Sequence, residues 1–373
     1  HVISARTFEI CRALGVDAQA LDAAATDPSD AGTTRWVTTL GGDLIGSLPF
    51  ERQGTEVLEF TPTPLRNLPQ SRFEPIVLET VRSADRVEVS YGHCWESADQ
   101  DAEGVTSRVR DLGSNTVRTV RSRYLIGADG AGSPVRESAG LEMTGPRRIS
   151  THLMIQFEAN LRPLVADRLA ALYWICDPEA GGTFIAHDID REWVHMHRLA
   201  DDETGNEYPA ERCERLVRRA LGSRADELPL VIRHVSPWVM SSQLAESYRN
   251  DRIFLAGDAA HRFPPTGGLG LNTGAQDIHG LVWRLAAVEH GWAPESLLET
   301  YQTERRPVAQ NNADQSHHNA KKMIEIPQAL GTLDNPTTTQ METALADPDT
   351  RTSVEAAIAN QAEHFDMLGL HLG

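Results

Sequence analysis

One stretch of the chain brings a carboxylate, a run of glycines and a helix start close together. Residues 252–261 read RIFLAGDAAH, and 262–277 continue RFPPTGGLGLNTGAQD. Residues 253–256 form a short apolar run, as expected of a buried parallel strand. Gly257 and Asp258 end it, which puts a carboxylate at the carboxyl edge of a sheet, where open α/β folds bind ligands. A loop rich in Gly and Pro follows, and the helix after it opens with small residues. Such an end offers unpaired backbone N–H groups to an electron-rich ligand. Asp258 can accept from sugar-alcohol hydroxyls, while amides near Leu271 and Asn272 can face a pyrimidine oxygen. Gly-Asp after a strand is by itself a common βα loop, so the rest of the chain has to decide.

A second segment, SRYLIGADGAGSPVR at 122–136, points the same way. Residues 124–126 are a buried strand by composition, and 127–132 a loop able to approach a ligand closely. Ser133 is a good N-cap, and Pro134 sits at the first helical position, where its missing N–H costs nothing. In this order and at about this separation, the two segments resemble the two signatures of the FAD-dependent aromatic hydroxylases, the single-component flavin monooxygenases. The resemblance covers nearly all of the chain. It implies an α/β (α+β) fold, with a Rossmann-like FAD-binding domain interleaved with a β-sheet substrate domain that roofs the flavin. The expected FAD-binding parts are residues 1–30, 63–150 and 241–310. The expected substrate parts are 31–62 and 151–240, and 311–373 is expected to be a helical connector.

That family opens with a strand and a GxGxxG turn that holds the FAD pyrophosphate. No GxGxxG occurs here; GADGAG at 127–132 has different spacing. Relatives also run on beyond the position of Gly373 into a thioredoxin-like domain. The expectation is therefore of an FAD-binding domain lacking its first βαβ unit, a chain short at both ends, and an incomplete flavin site.

The resemblance assigns roles residue by residue. Asp258 matches the aspartate that binds the ribityl chain, and Gln70 matches a glutamine contacting the same chain. Leu271 and Asn272 match positions whose amides face the N1–C2=O edge of the flavin, which carries negative charge when reduced. Pro265 matches a proline lying over the ring system, and Arg6 an arginine of an Arg-Thr-x-Glu segment. Gly257, Gly270 and Asp129 complete the cofactor set, with Asp129 and Arg136 expected to serve loop geometry more than ligand contact. His1 stands where some members carry the aspartate that deprotonates the phenol. The sequence departs from the pattern there, but a largely neutral imidazole can accept the same proton. The plain alternative for His1 is a loop residue without a role.

NLPQ at 67–70, LYWIC at 172–176, GTFIAHD at 182–188 and EHFD at 363–366 are similar to the phenol hydroxylase branch. The implied reaction is ortho-hydroxylation of a phenol, with NAD(P)H reducing FAD and O₂ adding at flavin C4a to give a hydroperoxide that delivers oxygen to the ring. Two alternatives stand beside it: a flavin oxygenase acting on a polycyclic or antibiotic aromatic, and a non-catalytic fragment unable to hold FAD.

Composition agrees with a cytoplasmic enzyme. A chain of 373 residues can bury a substantial core and usually holds two domains. No stretch approaches about eighteen uninterrupted apolar residues, so no membrane span is expected. The net charge of −18 argues against nucleic acid or an anionic membrane as partner, yet a local basic patch could still accept NAD(P)H. A homodimer is compatible with this reading. Cys11, Cys94, Cys176 and Cys213 lack CxxC spacing and read as reduced core thiols. No metal site is expected: His195 and His197 alternate on one strand without a third ligand, and His317 and His318 read as solvated helix surface. No GxSxG elbow supports hydrolysis.

The elements that must position these residues follow from periodicity. Phe8, Cys11 and Leu14 have helical spacing with Gly15 as a stop. Residues 35–50 hold two short strands. Ser71 and Glu74 form a capping box for a helix presenting Phe73, Ile76, Val77 and Val81, after which Val87, Val89 and Tyr91 alternate as a strand. Strands are expected over 152–157, 171–176, 182–187 and 193–199, and a helix over 210–221. After the Asp258 loop, Ile278, Leu281, Val282, Leu285 and Ala286 make an apolar helical stripe. A last helical run covers 354–368.

Overall fold

The computed structural model describes residues 2–225, 227–333 and 336–373. His1, the expected base, lies outside the described residues. The fold is mixed α/β. Its largest element is a seven-stranded sheet, in the order Val231–Met240, Ser150–Glu158, Glu192–Arg198, Gly182–Asp188, Leu172–Ile175, Thr33–Val37, Leu44–Pro49. All neighbours are antiparallel except Leu172–Ile175 and Thr33–Val37, which run parallel. The sheet thus joins two segments far apart in sequence.

Alternation decides its faces. Ile155, His195 and Phe184 lie opposite one another across three strands and pack with Leu153, Phe157 and Trp193 into a buried core. The helix Ala210–Leu221 contributes Cys213, Val217, Ala220 and Leu221 to that core. On the other face Trp36 stacks on Trp174 (centroids 6.2 Å apart, 14° between planes), and Phe365 meets Trp36 edge-on at 5.8 Å.

Beside this sheet lies a smaller layer built from the two sequence motifs. Ile253–Leu255 pairs in parallel with Leu125–Gly127, Ile253 opposite Leu125 and Leu255 opposite Gly127. Arg249–Asn250 flanks it, and a meander of His93–Asp101, Gly104–Asp111 and Val117–Ser122 forms a separate sheet. Phe254, Leu255, Tyr248 and Tyr301 are buried together behind the strand that carries Asp258.

Four local expectations need correction. Val87, Val89 and Tyr91 form no strand; Tyr91 is 69% exposed, and no described strand pairs with them. Alternation favours a strand only where an edge exists to receive it. The helix after Gln70 runs Gln70–Arg82 with Pro69 as its cap and no side-chain capping bond; Glu74 accepts from the Gln70 amide instead. In the long helix Leu269–Glu289 the expected apolar stripe is buried only in part, at Leu281 and partly at Leu285. Val282 is 48% exposed and Ile278 is also at the surface, while Thr273, Asp277, Gly280, Leu281 and Arg284 face inward. Residues 354–368 are not one helix: Pro348–Ala359 ends at Asn360, a 3₁₀ turn Ala362–Phe365 follows, then Leu368–Leu372. The buried Gln361 amide satisfies the carbonyls of Lys322 and Ala357 at the break, and the turn lets Phe365 reach Trp36.

Among the described residues no helix is long and apolar enough to cross a membrane.

Candidate functional site

The site is built around the turn at Gly257 and Asp258. Gly257 has φ +58°, a left-handed conformation that glycine adopts without strain. The helix Leu269–Glu289 packs directly on it: a Cβ on Gly274 would lie 3.2 Å from the Gly257 Cα. Below the turn, the buried carboxylate of Asp277 takes three donors. Its Oδ2 accepts from Gly257 N (3.2 Å) and pairs with His261 Nε2 (2.6 Å), and its Oδ1 accepts from Arg305 Nε (2.9 Å). His261, also buried, stacks flat on Phe263, with centroids 4.8 Å apart. With the turn held from below, Asp258 points outward and accepts no hydrogen bond from any described residue. Water reaches the side chain, yet the protein packed around the carboxylate strips part of its hydration and raises its pKa, against the pull of His261 and Arg262. An unpaired, partly desolvated carboxylate is well suited to accept hydroxyl hydrogen bonds.

The second half of the site is the start of the helix. Its cap is Gly268 at φ +64°, and the Gly268 N–H is already given to the Pro265 carbonyl at 3.0 Å. The helix begins at Leu269, so the amides of Leu269, Gly270 and Leu271 precede the first acceptor of the helical ladder. Asn272 is one position further, where its amide has the Gly268 carbonyl four residues back. The orphan donors therefore centre on Gly270, one to two residues earlier than the motif alone suggested. No atom outside the chain neighbours and the helix's own backbone lies within 4 Å of where a Gly270 Cβ would stand. Pro265 is exposed on the loop in front of them.

The Asn272 side chain is spent internally. Its Oδ1 accepts from Ser4 N (2.9 Å) and Thr7 Oγ1 (2.8 Å), and its Nδ2 donates to the carbonyls of Val2 (3.0 Å) and Gly268 (2.7 Å). Both its donors and its acceptor are satisfied, and residues 2–7 are thereby fastened to the helix start. Arg6, in the helix Ala5–Ala13, pairs with Glu9 at 2.9 Å and stays substantially exposed. Gln70 is exposed and turned toward Glu74.

In the second motif Asp129 serves its own loop: Oδ1 accepts from Ser133 Oγ (2.5 Å) and Oδ2 from Val135 N (3.0 Å). Ser133 caps the helix Pro134–Ser138 through the Arg136 amide, as expected. The buried Arg136 guanidinium then reaches across to the Ala259 carbonyl at 3.1 Å. The two motifs are thus bolted together by one side chain. Asp277, His261 and Arg305 were assigned no role by sequence. A readable sign existed: Thr273, Asp277, Gly280 and Arg284 make a helical stripe of small and polar residues, which burial would require to be paired.

Among the described residues no group of three or more His, Cys, Asp or Glu is placed to hold a metal. His195 is buried in the sheet core, and burial holds its pKa down at about 3. It is a core residue.

An outward carboxylate on one turn and free amides at the start of the helix packed on that turn fit a ligand bearing both hydroxyls and electron-rich oxygens, as FAD does. Residues 1–316 match the family described as FAD binding domain. The chain belongs to that family. It is 36% identical over 346 residues to 2,4-dichlorophenol 6-monooxygenase of Cupriavidus pinatubonensis, covering 89% of this chain and 56% of that protein. It is equally 36% identical to a putative polyketide hydroxylase of Streptomyces coelicolor, covering 84% of this chain and 50% of that one. Among solved structures, the flavin-dependent monooxygenase PieE in complex with FAD and substrate superposes with a TM-score of 0.92 at 32% identity, over 100% of this chain and 67% of PieE. The chain spans about half the length of these curated relatives.

Proposed function

We propose that the protein containing this chain is an FAD- and NAD(P)H-dependent monooxygenase that hydroxylates a phenolic ring ortho to its hydroxyl. The observation that carries the reading is an unpaired Asp258 on the Gly257 turn together with the orphan amides of Leu269, Gly270 and Leu271 at the start of the helix that packs on that turn. Bound FAD would supply the activation of O₂. Asp258 would accept from the ribityl hydroxyls, with Gln70 available after a rotation away from Glu74. The amides would hold the pyrimidine edge and stabilise negative charge there. Pro265 and Arg6 would flank the ring.

The large sheet would supply the substrate roof. Met154, Met196, Thr183 and Trp174 are successive cross-strand neighbours and so share one face with Val194 and Glu192. That face is turned toward the flavin motifs at two points. Glu192 pairs with Arg72, two residues after Gln70, and Trp174 packs near Phe365, whose neighbour Met367 touches the site loop at Gly267. Thioethers and an indole make an apolar, adaptable wall suited to an aromatic ring and to excluding water. A polycyclic aromatic substrate is the second reading, favoured by the likeness to the polyketide hydroxylase.

FAD titration followed by NAD(P)H oxidation tests the proposal. Phenol-stimulated oxidation with catechol as product supports it, and stimulation by polycyclic phenols alone favours the second reading. Because no GxGxxG turn contributes backbone donors here, FAD affinity of this chain by itself should be weak; submicromolar binding would overturn that expectation. Asp258→Ala should lose hydrogen bonds of about 1.5–3 kcal/mol each and release FAD more readily on dilution. His1 is proposed as the base that takes the phenolic proton. His1→Ala should slow hydroxylation and raise peroxide release without loosening FAD, and an unchanged hydroxylation rate from about pH 6 to 9, around the imidazole pKa, would remove the role.

A further inference from the structure

The buried cluster under the turn is used by no step described above. Asp277 receives Gly257 N, His261 Nε2 and Arg305 Nε, from three separate elements: the turn itself, the strand His261–Arg262 and the helix Glu299–Lys322. Both Asp277 and His261 are fully buried, and the Arg305 side chain is nearly so. A buried carboxylate is costly to keep unless each partner is in place, so the cluster has one satisfied arrangement. Among the described residues, the one backbone amide Asp277 holds in that arrangement is that of Gly257, the residue before Asp258. Gly257 is free to adopt other conformations, being glycine at φ +58°. Close contact with Gly274 limits it from the helix side, and Asp277 limits it from below.

We propose that Asp277 is a positioning residue for the flavin site: through the Gly257 amide, with His261 and Arg305 as its supports, it fixes the direction in which Asp258 presents its carboxylate. The role rests on the reading of Asp258 as a flavin ligand. It goes beyond that reading by assigning the function of the turn to a triad that never touches the cofactor. His261 is bound to the same role by its position. Its ring is locked by the Phe263 stack and gives Nε2 to the oxygen that also holds Gly257. Arg305 takes the opposite oxygen, so the carboxylate plane cannot rotate without breaking one bond or the other.

A double-mutant cycle on FAD affinity separates positioning from general stabilisation. Asp258→Ala, Asp277→Asn and the double variant are titrated with FAD from micromolar to millimolar concentration, alongside thermal melts. Each single variant should weaken FAD by about ten-fold or more, and the double should be no weaker than the weaker single within about two-fold. If the two losses multiply, Asp277 does not act through Asp258 and the proposal is overturned. An Asp258→Ala variant that binds FAD normally would instead sink the assignment of Asp258. In that case, or if FAD binds too weakly to titrate, amide exchange of the peptide around 254–262 decides. Asp277→Asn should deprotect that peptide selectively, and unchanged protection overturns the proposal. Should Asp277→Asn fail to fold, His261→Gln, which removes one support and leaves the Gly257 bond, takes its place in both measurements. Its loss should be partial and again non-additive with Asp258→Ala; an additive loss, or unchanged exchange at 254–262, counts against the triad.

Discussion

The large sheet and the flavin-motif layer are held together by different physics. In the sheet, Trp193, Phe184, Phe157 and Tyr173 fill one apolar core beneath strands whose pairing is regular apart from a few bulges. Its stability is spread over many contacts, most of them non-directional. In the motif layer a few polar groups do most of the specifying: Asp277 with three donors, Asn272 with four hydrogen bonds, and Arg136 spanning the two motifs. The sheet needs the right volume of apolar side chain. The layer needs particular atoms, because a buried donor or acceptor without a partner costs more than a slightly imperfect packing contact.

Mutation at the sheet core should show the largest effect on folding and the least selective one for FAD. Trp193→Ala empties a fully buried site and removes the hydrogen bond that its indole N–H gives to the Ile189 carbonyl, and should cost about 3–5 kcal/mol. Urea denaturation measures it. A loss below about 1 kcal/mol, the scale of a volume-conserving swap, would break the contrast by showing that the sheet is not where the stability lies.

Acid should act next, and mostly on the sheet. Burial lowers the pKa of His195 to about 3 and of His152 to about 4, both in strands of the sheet, and of His364 to about 4 beside Phe365. The folded-state values lie below the unfolded value of about 6.5, so the unfolded chain binds more protons between the two. Stability is therefore complete above about pH 6.5 and is lost as pH falls toward 4, at up to about 1.4 kcal/mol per pH unit for each group. Denaturation midpoints at pH 7.5 and 5 test the sign. An unchanged midpoint would mean that these imidazoles are hydrated.

The smallest change in stability should accompany a selective change in binding. Gly270→Ala adds a Cβ into open space in the first turn of a helix and should leave stability unchanged or raise it by up to about 1 kcal/mol. The same methyl stands among the orphan amides and should weaken FAD. Retained affinity would move the ligand away from this helix start and sharpen the boundary between the two regions.

Much of the fold was legible. The helix Ala210–Leu221 and the strands Gly182–Asp188 and Glu192–Arg198 follow from periodicity almost to the residue, because each buries one face against a continuous core. The strand before Asp258 and the Ser133 cap were equally readable, since local chemistry alone specifies them. Where reading failed, the deciding partner was distant. Val87, Val89 and Tyr91 alternate correctly but have no described edge to join. Glu74 is taken by Gln70 and so is unavailable for a capping box. In the helix Leu269–Glu289 the buried face takes Leu281 from the apolar stripe but also Asp277 and Arg284, while Ile278 and Val282 face out.

By itself, then, the sequence determined the family, the βα turn that carries Asp258, the helix start beside it and most elements of the sheet. These depend on residue type and short-range spacing, which the chain carries wherever it folds. Only the tertiary structure decided which polar groups are free and which are spent. Asn272 and Asp129 match the family's motifs, yet their side chains are saturated by Ser4, Thr7 and Val2 and by Ser133 and Val135. Asp258 is left unpaired because Asp277, nineteen positions later, holds the Gly257 amide from below. Hydrogen-bond satisfaction is a property of neighbours in space, and neither composition nor periodicity counts neighbours.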